Sequence, residues 1–341
     1  MTGRVDEVVA MAPGRVNLIG DHTDTTGGLV LPMAIDMGTT VTGRAGGDRV
    51  VLTSAAEPAP AVVPLTGFDP AELSPAWARY VGGVVAELSS PTGFEGHVTT
   101  TLPVGAGLSS SAALEVAVAL ALGFDGSTTA LALLCQRAEQ RASGVPCGIM
   151  DQLASAGGRD GSALLIDCHT LATEEIPIPA HCEIRVIHSG QARTLAASAY
   201  GERRTALEAA EAVLGPLRLH GVDDLADAGD QLRDDLMLRR VRHVVTENDR
   251  VRRFAETLRH GDLVTAGQLM GASHRSLRDD FEVSTPILDE LVDRLGATDG
   301  VHGARLTGAG FGGCVVALTD PEVLSEGWPV VAAAGARRLT A

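Results

Sequence analysis

Apolar and polar positions divide the chain into short strand-like segments in its first third and longer helical ones after it. Glu7 to Ala12 is an apolar run that predicts a strand, Pro13-Gly14-Arg15 a loop, and Val16 to Ile19 a second strand. A polar cluster, Asp21-His22-Thr23-Asp24, and the pair Gly27-Gly28 precede the apolar stretch Leu29 to Ile35. β-Branched residues and glycine turns over Thr39 to Val51, and again from Ala61 to Asp69, continue the strand-and-turn pattern. Trp77, Val81, Val84, Val85 and Leu88 recur at helical spacing, which predicts a helix with one buried face. Gly96 to Leu102 alternates as a strand and runs into a Gly/Ser loop, Gly105 to Ser111, from which an apolar helix extends through Leu122.

Thr128 to Ser143 predicts another helix, ended by Gly144-Val145-Pro146, and Ala163 to Cys168 a strand. Ile176-Pro177-Ile178-Pro179 reads as a linker, dividing a domain of residues 1–175 from one of residues 176–341. Glu183 to His188 then predicts a strand, Thr194 to Leu214 a helix, and charged helices run to about Arg294. The Gly-rich strand and turn Ala304 to Leu318 is the last ordered element expected.

Length agrees with two domains, since 341 residues exceed one ordinary core. With 45% hydrophobic and 21% charged residues, the chain is expected to fold over most of its length. Its 27 basic and 43 acidic residues give a net charge of −16, and no Arg block stands ready to neutralise a phosphate run, which disfavours a nucleic-acid partner. There is no lysine, so a Walker-A lysine and a Schiff-base lysine are both excluded. An anionic nucleotide must instead rely on backbone amides, a helix N-terminus and a divalent cation. Cys135, Cys147, Cys168, Cys182 and Cys314 form no CxxC or Cys/His ligand pattern, and a reducing cytoplasm is the simplest reading. The first twenty residues lack the basic-then-apolar pattern of a secretory leader, and no apolar run reaches eighteen residues. A soluble, cytoplasmic protein with no membrane partner is therefore expected.

A strand entering a Gly/Ser loop that caps a buried helix is suited to phosphate. Glycine lets the backbone approach closely, successive N–H groups can converge, and the helix adds the positive end of its dipole. An ordinary serine N-cap behind a flexible turn fits the same residues, so the loop alone leaves both readings open.

The run Pro103 to Leu114, PVGAGLSSSAAL, resembles the second signature of the small-molecule kinase family that includes galactokinase, homoserine kinase, mevalonate kinase and phosphomevalonate kinase, the GHMP kinases. Pro13 to Gly28, PGRVNLIGDHTDTTGG, is similar to the galactokinase signature, and Arg305 to Cys314, RLTGAGFGGC, to the family's third, glycine-rich signature. Pro146 to Gln152, PCGIMDQ, and Ala163 to Cys168, ALLIDC, also resemble galactokinase sequence, so the likeness spans both halves of the chain.

The resemblance implies an α+β, two-lobed fold: an N-terminal ribosomal protein S5 domain 2-like lobe, a C-terminal ferredoxin-like lobe and a site in the cleft between them. It implies an ATP-dependent sugar 1-kinase, forming galactose 1-phosphate and ADP, with Asp151 as base and Arg15 beside it stabilising charge. ATP would lie along Gly105, Gly107, Leu108, Ser109, Ser110 and Ser111, with Trp77 on the adenine side and Mg2+ on Ser110 and Glu139. Core packing for Trp77 and a solvated helix face for Glu139 remain the plain alternatives. The sugar would meet Asp21, His22, Asp24, Gly148 and Tyr200, with Asp24 on the hydroxyls of carbons 3 and 4 and residues 21 and 22 at carbon 6. Gly308, Gly310, Gly312 and Gly313 would let a loop pack against the phosphate site, or form a structural turn.

Galactokinases usually carry Glu where this chain has Asp21, and Tyr-Asn where it has Thr25-Thr26. The first change withdraws a carboxylate by a methylene, a difference that shifts specificity by roughly 1–3 kcal/mol in a pocket. A modified hexose, an amino sugar or a cyclitol therefore stands as an alternative acceptor. Two further rivals are a kinase of another acceptor, such as homoserine or mevalonate, and a non-catalytic sugar and ATP sensor. The HTD cluster and CGIMDQ argue against the first, and the intact GLSSSAAL and Asp151 against the second. The partner expected is a small-molecule sugar, and the chain is expected to be a monomer or a weak homodimer.

Overall fold

The computed structural model describes residues 7–88, 91–103, 105–192 and 196–339, the side chains of 196–200 excepted. Its elements in order are β1 (Val8–Asn17), β2 (Leu29–Val30), β3 (Pro32–Ala45), β4 (Arg49–Ser54), β5 (Ala61–Pro64), α1 (Ala78–Glu87), β6 (Phe94–Thr100), α2 (Ser110–Ala121), α3 (Thr128–Ser143) and α4 (Met150–Gly157). There follow β7 (Ser162–Asp167), β8 (Thr173–Pro177), β9 (Glu183–His188), α5 (Ala196–Leu214), α6 (Leu225–Leu232), α7 (Asp235–His260), α8 (Leu263–Asp279), α9 (Pro286–Gly296), β10 (Val301–Thr307), β11 (Cys314–Thr319), β12 (Trp328–Val330) and β13 (Arg337–Leu339).

The first lobe is built on a six-stranded sheet of order β13-β1-β3-β6-β4-β5, antiparallel except where β4 lies parallel to β6. Helix α2 is apolar nearly all round and buried between this sheet and α1, α3 and α4, as a helix without a polar face must be. A small sheet, β2-β7-β8, flanks the same lobe. The second lobe is an antiparallel ferredoxin-like layer, β10-β11-β9-β12, covered by α8 and α9. The lobes share apolar packing: Val16, Leu18 and Leu31 of the first lobe lie in one buried cluster with Val251, Phe254 and Val316 of the second.

Three sequence expectations are corrected. The segment 7–19 is not two strands and a loop: β1 is one strand whose pairing with β3 shifts register between Pro13 and Arg15. A bulge absorbs the proline, which has no N–H for the ladder, and re-aims the next side chain. Ile176 and Pro177 are not linker but the end of β8, paired with Ala163 and Ser162, and Ile176 is fully buried. The proline is tolerated because β8 is an edge strand. Ala304 to Leu318 is not the last ordered element, since β12 and β13 follow; three residues each, they carry too short a pattern to read. β12 pairs with β9, and β13 crosses back to pair with β1.

Candidate active site

A cavity of about 600 Å³ opens between the lobes, with Arg15, Asp24, Tyr80, Glu139, Gly148 and Asp151 in its wall. Arg15 reaches it because of the bulge in β1. Its backbone N–H donates to Leu108 O at 3.1 Å, fixing the Gly/Ser loop to the strand. That approach requires glycine at position 14, where a Cβ would come within 2.5 Å of the same carbonyl oxygen.

The guanidinium grips Asp151 in a two-pronged pair, Nε to Oδ1 at 2.7 Å and Nη2 to Oδ2 at 2.8 Å, while Nη1 donates to Gly107 O at 2.8 Å. Such a fork holds a carboxylate in one orientation. Asp151 occupies the first turn of α4, where the helix dipole also favours negative charge. The side chain of Arg15 is 6% exposed and that of Asp151 28%, so the carboxylate keeps access to the cavity.

Ser109 adopts a left-handed φ of 57° ahead of α2, and its hydroxyl donates to Asp151 Oδ2 at 2.5 Å. Expected against phosphate, Ser109 is therefore bonded to the carboxylate. Ser110 is exposed at the start of α2, beside Gly105 and Gly107, whose φ values of 76° and 76° turn the loop. Ser111 points the other way and donates to Glu139 Oε1 at 2.8 Å. Gln152 Nε2 donates to the second Glu139 oxygen at 2.5 Å. Burial, reinforced by nearby Asp151, pushes the Glu139 carboxyl up to about 7.

In the polar cluster after β1, burial raises Asp24 to about 6, with Asp151 and Asp21 acting in the same sense. Gly148 lies directly against its carboxylate. His22, left-handed at φ 67°, packs on Phe281 with ring centroids 4.6 Å apart, and burial lowers it to about 4, so the ring is neutral near pH 7. Asp21 is buried and engaged across the lobes: Oδ2 pairs with Arg305, and Oδ1 accepts from Gly308 N–H at 2.9 Å. Asp21 lines the cavity, and each of its oxygens already accepts a hydrogen bond from the second lobe. His243 Nε2 bonds Asp21 O at 3.1 Å, and Gly20 N–H donates to Glu247 Oε1 at 3.0 Å, so the same turn is tied down from α7.

Trp77 is not brought to the cavity. Its indole N–H donates to Ala59 O at 3.0 Å and its ring is buried in the first-lobe core, while Tyr80, one turn on, lines the wall. The side chain of Tyr200 lies outside the described residues. Leu108 is buried and contributes its carbonyl to Arg15 rather than its side chain to the cavity. In the Gly-rich turn, Gly308 serves Asp21, and Gly310 lies where a Cβ would be 2.4 Å from Val283 O. The turn therefore packs against the segment before α9.

Sequence reasoning gave no role to Arg305, Gln152, Tyr80 or Glu115. Glu115 had a visible signal, as the one charged residue within the apolar α2. Arg305 had none beyond its place in a quoted signature, because its partner lies in the other lobe.

Comparisons with known proteins agree with this geometry. Residues 2–45 match the model of the galactokinase galactose-binding signature, 79–159 that of the GHMP kinases N terminal domain and 254–332 that of the GHMP kinases C terminal. The chain is 45% identical over 331 residues to a galactokinase of Roseiflexus sp., covering 92% of this chain and 83% of the relative. To the Homo sapiens galactokinase it is 43% identical over 336 residues, covering 93% and 85%. The structure of Lactococcus lactis galactokinase complexed with galactose superposes with a TM-score of 0.90 at 30% identity, over 99% of this chain and 97% of that one.

Proposed function

We propose, because this chain belongs to the galactokinase family of GHMP kinases, that the Arg15–Asp151 pair is the centre at which it phosphorylates galactose. The protein is an ATP-dependent galactose 1-kinase. The observation supporting Asp151 as base is its position: a part-exposed carboxylate, oriented by a buried guanidinium, beside a Gly/Ser loop at a helix N-terminus.

Asp151 accepts the proton of the anomeric hydroxyl as that oxygen attacks the γ-phosphorus, and the bond to the ADP oxygen breaks in line. No phosphoenzyme is needed, since the proton ends on Asp151 and the phosphoryl group on the sugar. Arg15 keeps the base oriented and supplies positive charge, and with no lysine in the chain the loop amides at α2 carry the rest of the phosphate binding. Asp24 and neutral His22 face the sugar side, with Gly148 giving Asp24 its room.

Ser110 and Glu139 are the proposed holders of Mg2+. Among the described residues no group of three or more His, Cys, Asp and Glu could hold a metal. Two protein oxygens nevertheless suit magnesium, which takes its other ligands from water and nucleotide phosphates. Glu139 fits because Ser111 and Gln152 fix its carboxylate with one bond per oxygen, leaving lone pairs free. When bound, the ion neutralises charge on the phosphates.

Asp151→Asn tests the central reading. It should lower kcat by about 10²–10⁴-fold while galactose still binds by calorimetry. Turnover within tenfold of the parent ends the assignment of the base. For the metal, Glu139→Gln should raise the Mg2+ needed for half-maximal rate, and an unchanged requirement removes Glu139 from the ligand set.

A modified hexose, an amino sugar or a cyclitol is not favoured as acceptor, nor is a non-catalytic sensor, since the family relatives are galactokinases. The division at residues 175 and 176 would cut β8, so the boundary is proposed to fall beyond Pro177, with the return of β13 to β1 supporting assignment of the last residues to the first lobe. A monomer or weak homodimer in the cytoplasm completes the reading. The five cysteines are free and, among the described residues, no helix is long and apolar enough to cross a membrane.

A further inference from the structure

The turn that carries Asp21, His22 and Asp24 into the cavity is held by its backbone from α7 of the other lobe. His243 Nε2 bonds Asp21 O at 3.1 Å, Glu247 Oε1 accepts from Gly20 N–H at 3.0 Å, and Asn248 Oδ1 accepts from Leu29 N–H at 2.8 Å. These side chains are buried, and none of them lines the cavity, so contact with substrate does not account for them.

Each is itself fixed. A carbonyl oxygen only accepts, so His243 carries a proton on Nε2, while its Nδ1 faces Ser276 Oγ at 3.0 Å. Ser273 Oγ donates to Glu247 Oε1 at 2.5 Å and Arg250 Nε to Oε2 at 2.6 Å. Asn248 comes so near the turn that a Cβ on Gly28 would lie 2.6 Å from its Oδ1.

The backbone held in this way is a strained one. Gly20 has a φ of 98° and His22 of 67°, and a left-handed histidine costs of order 1–3 kcal/mol, persisting where its surroundings impose it. The peptide group between Asp21 and His22, whose oxygen His243 holds, is the one whose orientation sets the His22 φ. Bonds within the turn, from Thr23 Oγ1 to Gly20 O at 2.9 Å and from Gly28 N–H to Thr23 O at 2.9 Å, close it on itself. The bonds to α7 fix where the closed turn stands relative to the cavity.

We infer that His243, Glu247 and Asn248 are positioning residues: they fix residues 20–29 so that His22 and Asp24 stand in place before galactose arrives. A turn ordered in advance spares binding the cost of ordering it. With Asp24 set toward carbons 3 and 4, the same bonds maintain the preference for galactose over glucose, its epimer at carbon 4. This role rests on the reading of the turn as the sugar-binding one.

The test uses the full-length chain. His243→Leu removes the donor, His243→Gln offers an amide N–H in its place, and Asn248→Ala removes the acceptor for Leu29 N–H. Binding of galactose and of Mg·ADP is measured by calorimetry, kcat/KM is compared for galactose and glucose, and melting shows which variants are folded at the assay temperature. His243→Leu and Asn248→Ala should each weaken galactose binding by about 10-fold or more, within what a displacement of roughly 1 Å can cost. Mg·ADP binding should stay within about threefold of the parent, and the preference for galactose over glucose should fall. His243→Gln should stay within about threefold of the parent in both measurements of binding. Parental galactose binding in folded His243→Leu or Asn248→Ala overturns the inference. Equal losses of galactose and Mg·ADP binding also overturn it, since the bonds would then serve the fold at large. So does a His243→Gln variant as impaired as His243→Leu, because the donated bond would not be what matters. Should His243→Leu fail to fold, Asn248→Ala decides. If Asp24→Asn loses galactose binding while His243→Leu and Asn248→Ala keep it, the inference alone fails. If Asp24→Asn binds galactose as the parent does, the sugar-binding reading of the turn fails.

Discussion

Gly148 stands so close to Asp24 that a Cβ added to it would lie 1.7 Å from the Asp24 carboxylate oxygen. The glycine before α4 thus sets the position of an acidic side chain that the galactokinase signature supplies more than a hundred residues earlier. Gly148→Ala should displace Asp24 by roughly 1 Å, an error that can cost up to about 10²-fold in catalysis. The expected outcome is a KM for galactose raised at least tenfold with an unchanged KM for ATP, measured by steady-state kinetics.

Asp24 itself predicts a pH dependence. Its carboxyl is raised to about 6, so the charged form that accepts sugar hydroxyls dominates above that pH. KM for galactose should therefore rise as pH falls through about 6.

The sign for stability is the reverse. A pKa raised from 3.8 to about 6 means that the folded chain holds this proton more tightly than the unfolded one. The group's contribution is fully present below the unfolded value and lost as pH rises through the folded one. Asp24→Asn should raise the melting temperature of the sugar-free protein at pH 8 more than at pH 5, by an amount equivalent to roughly 1–3 kcal/mol, while abolishing useful turnover. Equal gains at both pH values would show that Asp24 is not a strained carboxylate.

Ser109 invites a substitution that separates backbone from side chain. Its left-handed φ suits glycine, so Ser109→Gly keeps the loop and removes only the hydroxyl bonded to Asp151. An order-of-magnitude fall in kcat, near 10-fold, with little change in either KM is expected from the less tightly oriented base. A rise confined to KM for ATP would return Ser109 to the phosphates.

The Asp21–Arg305 pair predicts a stability effect. Both side chains are buried, at 2% and 0% exposure, and Arg305 also donates to Asn17 O at 3.4 Å. Removing one partner leaves the other charged and enclosed, a cost of about 3–5 kcal/mol. Asp21→Ala should lower unfolding free energy by that amount in a denaturant titration. A loss below 1 kcal/mol, with KM for galactose raised instead, would make Asp21 a sugar ligand rather than an anchor between lobes.

How far the chain could be read without coordinates follows from what kind of pattern each feature leaves. The helix Thr128 to Ser143 and the strand Glu183 to His188 appear with the expected bounds, because an unbroken local pattern marks each of them. The strand carrying Arg15 does not, since a proline inside it reads as a break until a bulge accommodates it. β12 and β13 are too short to leave a period, and their pairing with β9 and β1 is a matter of distant chain.

The candidate site divides in the same way. Resemblance to the galactokinase motifs was enough to nominate Arg15, Asp24, Gly148 and Asp151, because each stands in a motif that is local in sequence. Ser109 bonded to the carboxylate, Trp77 turned into the core and Asp21 taken by Arg305 were decided by folding alone. Each of these depends on which groups remain unsatisfied once two lobes close on one another. Hydrogen-bond partners and desolvation are properties of that enclosure and leave no period along the chain.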